Sequence, residues 1–140
     1  MNTKRNCFAA VRLDESRILV IGGECRDNYH ATTEILDIKS MKFSEGPTMA
    51  SPRVGPAAVK LADEERVLLI GGRNYNDGTL RSTEYLDLKT NTFSQGPQMR
   101  VARDDAAAVQ IDEWQVLVAG GDSDDAKKTT EVLDLTTGEL

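Results

Sequence analysis

A double glycine that ends a short aliphatic run occurs three times in this chain of 140 residues. Gly22-Gly23 returns as Gly71-Gly72 and as Gly120-Gly121, at a constant interval of 49 residues (22 to 71 and 71 to 120). The preceding aliphatic runs are Ile18–Ile21, Val67–Ile70 and Val116–Ala119. Self-similarity with a period of roughly 20 to 50 residues is typical of solenoids, propellers and other repeat arrays. The chain must therefore fold as a set of similar units.

Other segments repeat in the same register. The strings TEILD, TEYLD and TEVLD follow the glycines, and an apolar residue stands six positions after the aspartate of each string (37 to 43, 87 to 93 and 134 to 140). These apolar residues are Phe43, Phe93 and Leu140. The strings FSEGPTM and FSQGPQM then match between the first and second units. One unit of about 50 residues is thus written nearly three times.

Each unit predicts four short β-strands. The first run centres on two alanines and includes Cys7 in the first unit, where the thiol is expected to be a small buried group. The second is the aliphatic run, the third is the TExLD segment, and the fourth begins at Phe43 or Phe93 and stops at a Gly-Pro pair. Runs this short, rich in β-branched residues and separated by turn signals, fit strands better than helices. Proline also cannot donate to a strand ladder. The expected fold class is all-β.

The composition excludes several classes of function. A formal net charge of −6 argues against a nucleic-acid-binding surface and against attraction to an anionic membrane, since both need clustered basic residues. The sequence has no apolar run of membrane-spanning length and no signal-peptide core, so a soluble, cytoplasmic location is expected. Two cysteines and the single histidine, His30, are too few for a disulfide framework or a histidine-rich metal site. We expect no metal, no cofactor, no catalytic residues and no enzymatic activity.

Three repeated residue types indicate how the units pack together. An alanine pair in each first strand places small side chains where sheets converge on an axis. The Gly-Gly pairs permit positive φ and close backbone approach at the end of the second strand. A glutamate recurs on the third strand, and its carboxylate is expected to meet an arginine or backbone N–H groups. The alanine pairs begin at Ala9, Ala57 and Ala107, and the glutamates are Glu34, Glu84 and Glu131.

The aliphatic run with its Gly-Gly pair, the TExLD segment, the aromatic residue that follows and the next arginine resemble the kelch repeat of β-propellers. The resemblance covers essentially the whole chain, so residues 1–140 are expected to form a single region. It implies four-stranded antiparallel blades with strand a innermost and strand d outermost. The expected blades span about 5–49, 53–99 and 103–140, with the outer strand of the third cut short. The expected architecture is a partial, open propeller of about three blades.

The number of blades leaves the assembly open. Propellers close with roughly four to eight blades, and this chain holds three repeats. The chain could be a piece of a longer protein. It could instead pair with a second copy as a homodimer and build a ring of about six blades. It could also stand as an open solenoid whose ends are covered in another way.

The resemblance implies that partners bind one rim of the disc, where the d-to-a and b-to-c connections lie. The segments after each Gly-Gly pair are the longest and least alike, and loops that differ on a repeated scaffold are natural carriers of specificity. Arginine and aromatic side chains suited to protein recognition occur there. The planar guanidinium group favours an acidic peptide segment as the partner. The candidate partner-binding residues are Arg26, Tyr29, His30, Arg53, Arg73, Asn74, Tyr75 and Arg103.

Two interpretations of Arg53 and Arg103 stay open. They repeat in register, each four residues after a methionine (49 to 53 and 99 to 103), so they either bind a partner or tie blades together through the recurrent glutamates and carbonyls. The predicted function is a protein–protein interaction scaffold or adaptor. One alternative is part of a kelch-like propeller enzyme of oxidase, hydrolase or lyase type, whose site would need blades absent from this sequence. Another is a self-assembling propeller fragment.

Overall fold

The computed structural model describes residues 1–136, and Leu140, the predicted counterpart of Phe43 and Phe93, lies outside them. The described part of the chain contains no helix that is long and apolar enough to cross a membrane. The first unit has six strands, which are β1 (Ala9–Arg12), β2 (Arg17–Ile21), β3 (Glu24–Cys25), β4 (Asn28–Tyr29), β5 (Thr33–Asp37) and β6 (Lys42–Glu45). Strands β1, β2, β5 and β6 form an antiparallel sheet in that order, and β3 and β4 form a separate hairpin.

The second unit repeats this topology. Its strands are β7 (Ala57–Lys60), β8 (Arg66–Ile70), β9 (Arg73–Asn74), β10 (Gly78–Thr79), β11 (Thr83–Asp87) and β12 (Thr92–Gln95). The sheet order is β7-β8-β11-β12, and β9 pairs with β10. The third unit has a described sheet of three strands, which are β13 (Ala107–Asp112), β14 (Gln115–Ala119) and β15 (Thr130–Asp134). The all-β prediction is confirmed, and every TExLD segment is a third strand with the predicted bounds.

Two apolar cores lie between the three sheets. Successive residues of a strand point to opposite faces, so Val67 and Leu69 of β8 pack against the first unit, while Leu68 and Ile70 pack against the third. This double burial explains why the second strand of the unit is a continuous aliphatic run. Strand β7 contacts both β1 and β13, and its two alanines face opposite cores. Small side chains thus stand where the inner strands converge.

Cys7 differs from the sequence prediction. The residue lies before β1, is exposed and has a φ of 49°, so the prediction of a buried strand residue is wrong. A left-handed backbone conformation interrupts extended geometry, which delays the start of the strand. The matching residues Gly55 (φ 63°) and Asp105 (φ 53°) adopt the same conformation before β7 and β13. The turn into each inner strand is therefore a repeated feature that the apolar pattern does not reveal.

The segments after the first two Gly-Gly pairs are also more ordered than the loops that the sequence predicts. Each contains a short hairpin, β3–β4 or β9–β10, whose strands are two residues long. In the first hairpin, Arg26 and Asp27 have φ values of 50° and 64°. Two consecutive positive φ angles are the pattern of a tight type I′ hairpin turn. The candidate loop residues consequently stand on short, backbone-paired elements.

The Gly-Gly pairs owe their composition to the contact between neighbouring units. Gly22 (φ 65°) and Gly71 (φ 61°) lie against the main-chain oxygens of Arg53 and Arg103, respectively. A Cβ at either glycine would overlap with that oxygen, which belongs to the next unit. Gly120 has the same conformation (φ 70°), but no described atom lies near its Cβ position. The first glycine of each pair is thus required where another blade follows.

We expect Gly71→Ala to lower the free energy of unfolding by about 1–3 kcal/mol more than Gly78→Ala does. Both residues have positive φ (61° and 69°), so the backbone strain of about 1–2 kcal/mol is common to the two variants. Only at position 71 does the added methyl group meet backbone, and that oxygen moves only if two blades separate. Urea unfolding followed by circular dichroism measures the difference, and equal losses in the two variants would contradict this account.

Candidate functional site

The arginine of each d-to-a connection is buried and fully engaged. Arg53 is 2% exposed, and its Nε and Nη2 lie 3.0 and 2.9 Å from Oε1 of Glu84. Its Nη1 donates to the carbonyls of Gly71 (2.7 Å) and Ser82 (3.0 Å). The other carboxylate oxygen of Glu84 accepts the backbone N–H of Ala50 at 2.9 Å. A buried ion pair is stable only when its remaining donors and acceptors are satisfied, and here they are.

The same cluster recurs in all three units. Arg5 pairs with Glu34 and Arg103 pairs with Glu131, each at 2.9 Å. Nη1 of these arginines also donates to the carbonyl of the first glycine in the same unit, as it does in Arg53. The structure thus places the guanidinium groups of Arg53 and Arg103 on a recurrent glutamate and on carbonyls, as one of the two interpretations predicts, but these partners belong to the arginine's own blade. Their guanidinium groups are not available on the surface.

The main chain of the same arginines joins neighbouring units. The carbonyl oxygen of Arg53 accepts the N–H of Gly23 at 2.8 Å, and that of Arg103 accepts the N–H of Gly72 at 2.8 Å. Arg53 and Arg103 therefore bind their own blade through the side chain and the preceding blade through the backbone, whereas Arg5 makes the side-chain contacts. We call Arg5, Arg53 and Arg103, each with its paired glutamate, the arginine staple.

The ionised carboxylate of Glu34 makes the stability of the fold depend on pH. Burial by itself raises the pKa of Glu34, but hydrogen bonds from the Arg5 guanidinium and from the backbone N–H of Asn2 outweigh it and hold the pKa below its ordinary 4.5. A carboxyl with a depressed pKa stabilises the folded state above the unfolded pKa. That stabilisation is lost as the pH falls below about 4.5 and through the lower folded-state pKa of this group.

The b-to-c segments lie beside the d-to-a connections on one rim. Glu24 and Asn6 exchange backbone hydrogen bonds of 2.9 and 3.0 Å, and Arg73 and Val54 do the same at 2.9 and 3.0 Å. In the third unit the N–H of Asp122 donates to the carbonyl of Asp104 at 2.9 Å. These bridges hold each b-to-c segment against the residue that follows the staple arginine of its own unit, so the two kinds of connection lie side by side.

Two candidate aromatic residues meet across neighbouring blades. Tyr29 of the first hairpin and Tyr75 of the second stack with ring centroids 4.0 Å apart and planes inclined by 20°. The hydroxyl of Tyr75 donates to the carbonyl of Asp27, which fixes the ring over the first hairpin. Tyr75 is nevertheless 62% exposed. The pair presents a rigid aromatic face to solvent.

Arg73 lies in an acidic environment near Tyr29. Its Nη1 is 3.7 Å from Oδ2 of Asp104, and its Nε is buried without a hydrogen-bond partner among the described residues. Partial burial acts to lower the pKa of Arg73, but the nearby Tyr29, Asp104 and Glu24 raise it, so the guanidinium stays charged. Unlike the staple arginines, Arg73 interacts with its neighbours mainly through charge, and few of its five N–H donors make hydrogen bonds.

Asp104 has the opposite pKa shift to the staple glutamates. Burial raises the pKa of Asp104 above its ordinary 3.8, and the negative charge of Asp105 raises it further. The positive charge of Arg73 acts in the other direction and only partly compensates. Since the carboxyl of Asp104 makes one long ion pair, its charged form is poorly stabilised.

The remaining candidates occupy different places. His30 is buried, with Nε2 at 3.2 Å from the carbonyl of Lys4, and Asn74 is buried, with its side chain accepting the N–H groups of Asn76 and Asp77. Both position the hairpins and do not face solvent. Arg26 is exposed at the tip of the first hairpin.

The candidate rim site is formed by Tyr29, Arg73 and Tyr75 together with three carboxylates that sequence reasoning missed, Glu24, Asp104 and Asp105. A signal for two of them exists in the sequence. Asp104-Asp105 directly follows a staple arginine at a place where the other units have Val54-Gly55 and Asn6-Cys7. A charged pair that breaks the repeat marks a position where the scaffold does not dictate the residue.

We expect Glu84→Gln to lower the free energy of unfolding by about 3–5 kcal/mol, because it leaves the buried charge of Arg53 without its counter-charge. Lys89→Gln is the matched control, since it breaks an ion pair with Glu65 in which both side chains are well exposed. The control should unfold close to the wild type. Chemical denaturation of both variants tests this, and a Glu84→Gln midpoint equal to that of the control would show that the staple carries no stability.

The pKa of Asp104 is expected to lie above 3.8 and to respond in opposite directions to two substitutions. Arg73→Gln removes a favourable charge and should raise the pKa further. Asp105→Asn removes an unfavourable charge and should lower it, and asparagine tolerates the φ of 53° at that position. NMR titration of the side-chain carboxyl carbon measures the three values. Shifts of the same sign would contradict the proximity of these groups.

Comparison with known families identifies the second unit. Residues 53–100 match the family model of the Kelch motif. The matched stretch runs from the staple residue Arg53 through β12 and includes the hairpin that carries Arg73 and Tyr75. No curated protein matches the sequence significantly. The chain therefore has an all-β, propeller-like architecture with a Kelch motif in its second blade, and the units on either side are also antiparallel sheets.

Proposed function

We propose that this chain is a protein-interaction scaffold that binds an extended segment of a partner protein on the rim formed by its b-to-c hairpins and d-to-a connections. The observation that carries the proposal is the stacked pair of Tyr29 and Tyr75, with Arg73 close to Tyr29. The stack joins two neighbouring blades, yet Tyr75 keeps 62% of its surface exposed and can still contact a partner. Preorganised groups of this kind reduce the entropic cost of binding a partner.

The aromatic stack supports the proposal through its rigidity. Tyrosine offers a large amphipathic surface with few rotatable bonds, and it is among the residues most often found at the energetic centre of protein interfaces. The stacking contact and the hydrogen bond to Asp27 fix the ring of Tyr75 before any partner arrives. A partner side chain that packs on this ring gains contact area at little conformational cost.

Arg73 supplies the hydrogen-bond donors of the site. Its guanidinium is partly exposed, and its described side-chain interaction is the 3.7 Å ion pair with Asp104. Because an arginine has five donors, the group can still bind an acceptor on the partner. Glu24, Asp104 and Asp105 already surround it with negative charge, so a neutral main-chain carbonyl fits better than another carboxylate.

The charge around the stack favours a basic partner segment. Glu24, Asp104 and Asp105 lie near Arg73, and Asp122 lies near Asp104. A lysine or arginine of the partner would meet these carboxylates and could also stack on the exposed face of Tyr75. The expectation of an acidic peptide rested on the rim arginines, of which Arg53 and Arg103 are buried in the staple. We therefore propose a basic segment, with the acidic segment as an outcome of the test.

Selection from a phage-displayed random-peptide library on the wild-type chain tests the proposal. We expect enriched peptides to carry lysine or arginine. A synthetic copy of an enriched peptide should bind about tenfold more weakly to Tyr75→Ala and to Asp105→Asn, the factor that 1.4 kcal/mol represents. Fluorescence polarisation measures the affinities, and added salt should weaken binding because the attraction is electrostatic.

Trp114→Ala is the matched control. Trp114 is an aromatic residue of similar exposure, but it lies in the turn between β13 and β14, away from the hairpins that form the rim. Its removal should leave the affinity unchanged. Enrichment of acidic peptides that depend on Arg73 would overturn the charge assignment. Enrichment that is indifferent to Tyr75 would overturn the site itself.

A further inference from the structure

The third blade exposes a face that its neighbours bury. In the second blade, Val59 and Leu61 of the inner strand region point toward the third blade and are 8% and 2% exposed. The residues in the same register of the third blade, Val109 and Ile111, are 55% and 51% exposed. Val132 on β15 adds a further apolar side chain that is 48% exposed. This face has the composition of an inter-blade core without a described partner.

The backbone of the third blade is also arranged for a neighbour. The N–H groups of Gly23 and Gly72 donate to the carbonyls of the following staple arginines. Gly121 occupies the same place, yet among residues 1–136 no acceptor meets its N–H. Gly120 keeps its positive φ of 70°, and no atom of the described residues lies within 4 Å of its Cβ position. The glycine pair thus has the conformation that receives an arginine carbonyl.

The first blade presents the complementary face. Val67 and Leu86 of the second blade are buried against the first, whereas Ile18 and Leu36 in the same register of the first blade are only partly buried. The side chain of Arg5 already forms the staple of its own blade. Its main-chain carbonyl, by register the acceptor for a preceding glycine pair, has no donor among the described residues.

We infer that the third blade of one copy docks on the first blade of a second copy, with the carbonyl of Arg5 accepting the N–H of Gly121. The face of the third blade corresponds to the face that the second blade presents to the third, and the face of the first blade corresponds to the face that the second blade presents to the first. The new interface therefore requires no new type of contact. Applying the contact twice joins two sets of three blades head to tail. The resulting ring of about six blades lies within the range in which propellers close. A closed cyclic arrangement satisfies both faces of both copies.

We assign a second copy of this chain to the exposed face of the third blade because that face can be matched only by a specific set of groups. It needs an apolar sheet face in blade register and, at its rim, an arginine whose side chain is consumed internally while its carbonyl stays free. The first blade of this same chain provides all of them, in Ile18, Leu36 and Arg5. A partner of unrelated fold would match the apolar side chains alone.

Sedimentation velocity of the wild-type chain tests the inference. We expect a species of twice the 15.4 kDa monomer mass. The double variant Val109→Lys, Val132→Lys should sediment as a monomer. Both side chains are exposed within the single chain, so its circular dichroism spectrum should remain that of the wild type. Met41→Lys, which changes an equally exposed apolar residue in the turn between β5 and β6, is the matched control and should remain a dimer.

Mixing two variants tests the head-to-tail arrangement. Ala10→Lys places a charge on the exposed inner strand of the first blade and leaves the third blade intact. Alone, it should be a monomer, as the Val109→Lys, Val132→Lys variant should be. A mixture of the two restores one intact interface and should produce a heterodimer. A wild-type monomer at every concentration up to the solubility limit, or an Ala10→Lys variant that dimerises alone, would overturn the inference.

Discussion

The arginine staple is the interaction on which the other features of this structure depend. One residue neutralises a buried glutamate, satisfies carbonyls of its own blade and offers its main-chain oxygen to the blade before it. The last contact brings backbone against backbone, which is why the first glycine of the preceding pair can carry no side chain. A charge placed in the interior is costly unless every donor is used. The repeat therefore conserves a whole cluster of partners within the chain, and not a single arginine.

The staple also determines which arginine side chains are still able to bind a partner. Arg53 and Arg73 both lie near the same rim. The guanidinium of Arg53 donates to Glu84 and to two carbonyls, whereas Arg73 makes one long ion pair and its Nε has no partner among the described residues. The difference follows from position. The guanidinium of Arg53 lies against the carbonyl of Gly71, while Arg73 belongs to a hairpin that is joined to Val54 by a backbone bridge. The repeated Arg53 and Arg103 join neighbouring blades through their backbone, and under the proposed function the non-repeating Arg73 recognises the partner.

Much of the fold was predictable because the hydrophobic period and the turn residues are local signals. The third strands begin and end where TExLD does. The exposed Cys7 was not predictable, since its positive φ is imposed by the turn into β1 and not by its apolar neighbours. The site was harder still. Tyr29 and Tyr75 were identifiable as loop aromatics, but their stacking, and the carboxylates around Arg73, arise where separate blades meet. Register between units is a tertiary property that a single repeat does not encode.

The rim and the open face of the third blade are connected through the backbone around the axis. The N–H of Gly55 donates to the carbonyl of Cys7 at 2.7 Å, and the N–H of Asp105 donates to the carbonyl of Gly55 at 2.8 Å. This ladder of positive-φ residues passes from blade to blade and ends, within the described residues, at the carbonyl of Asp105. A blade docked beside Gly121 would continue it. Because Asp105 also contributes charge next to Asp104 and Arg73, an additional blade would order and desolvate the acidic side of the rim site. Assembly and recognition would then draw on the same few residues, and the affinity of the rim for a basic segment would depend on the occupancy of the neighbouring face.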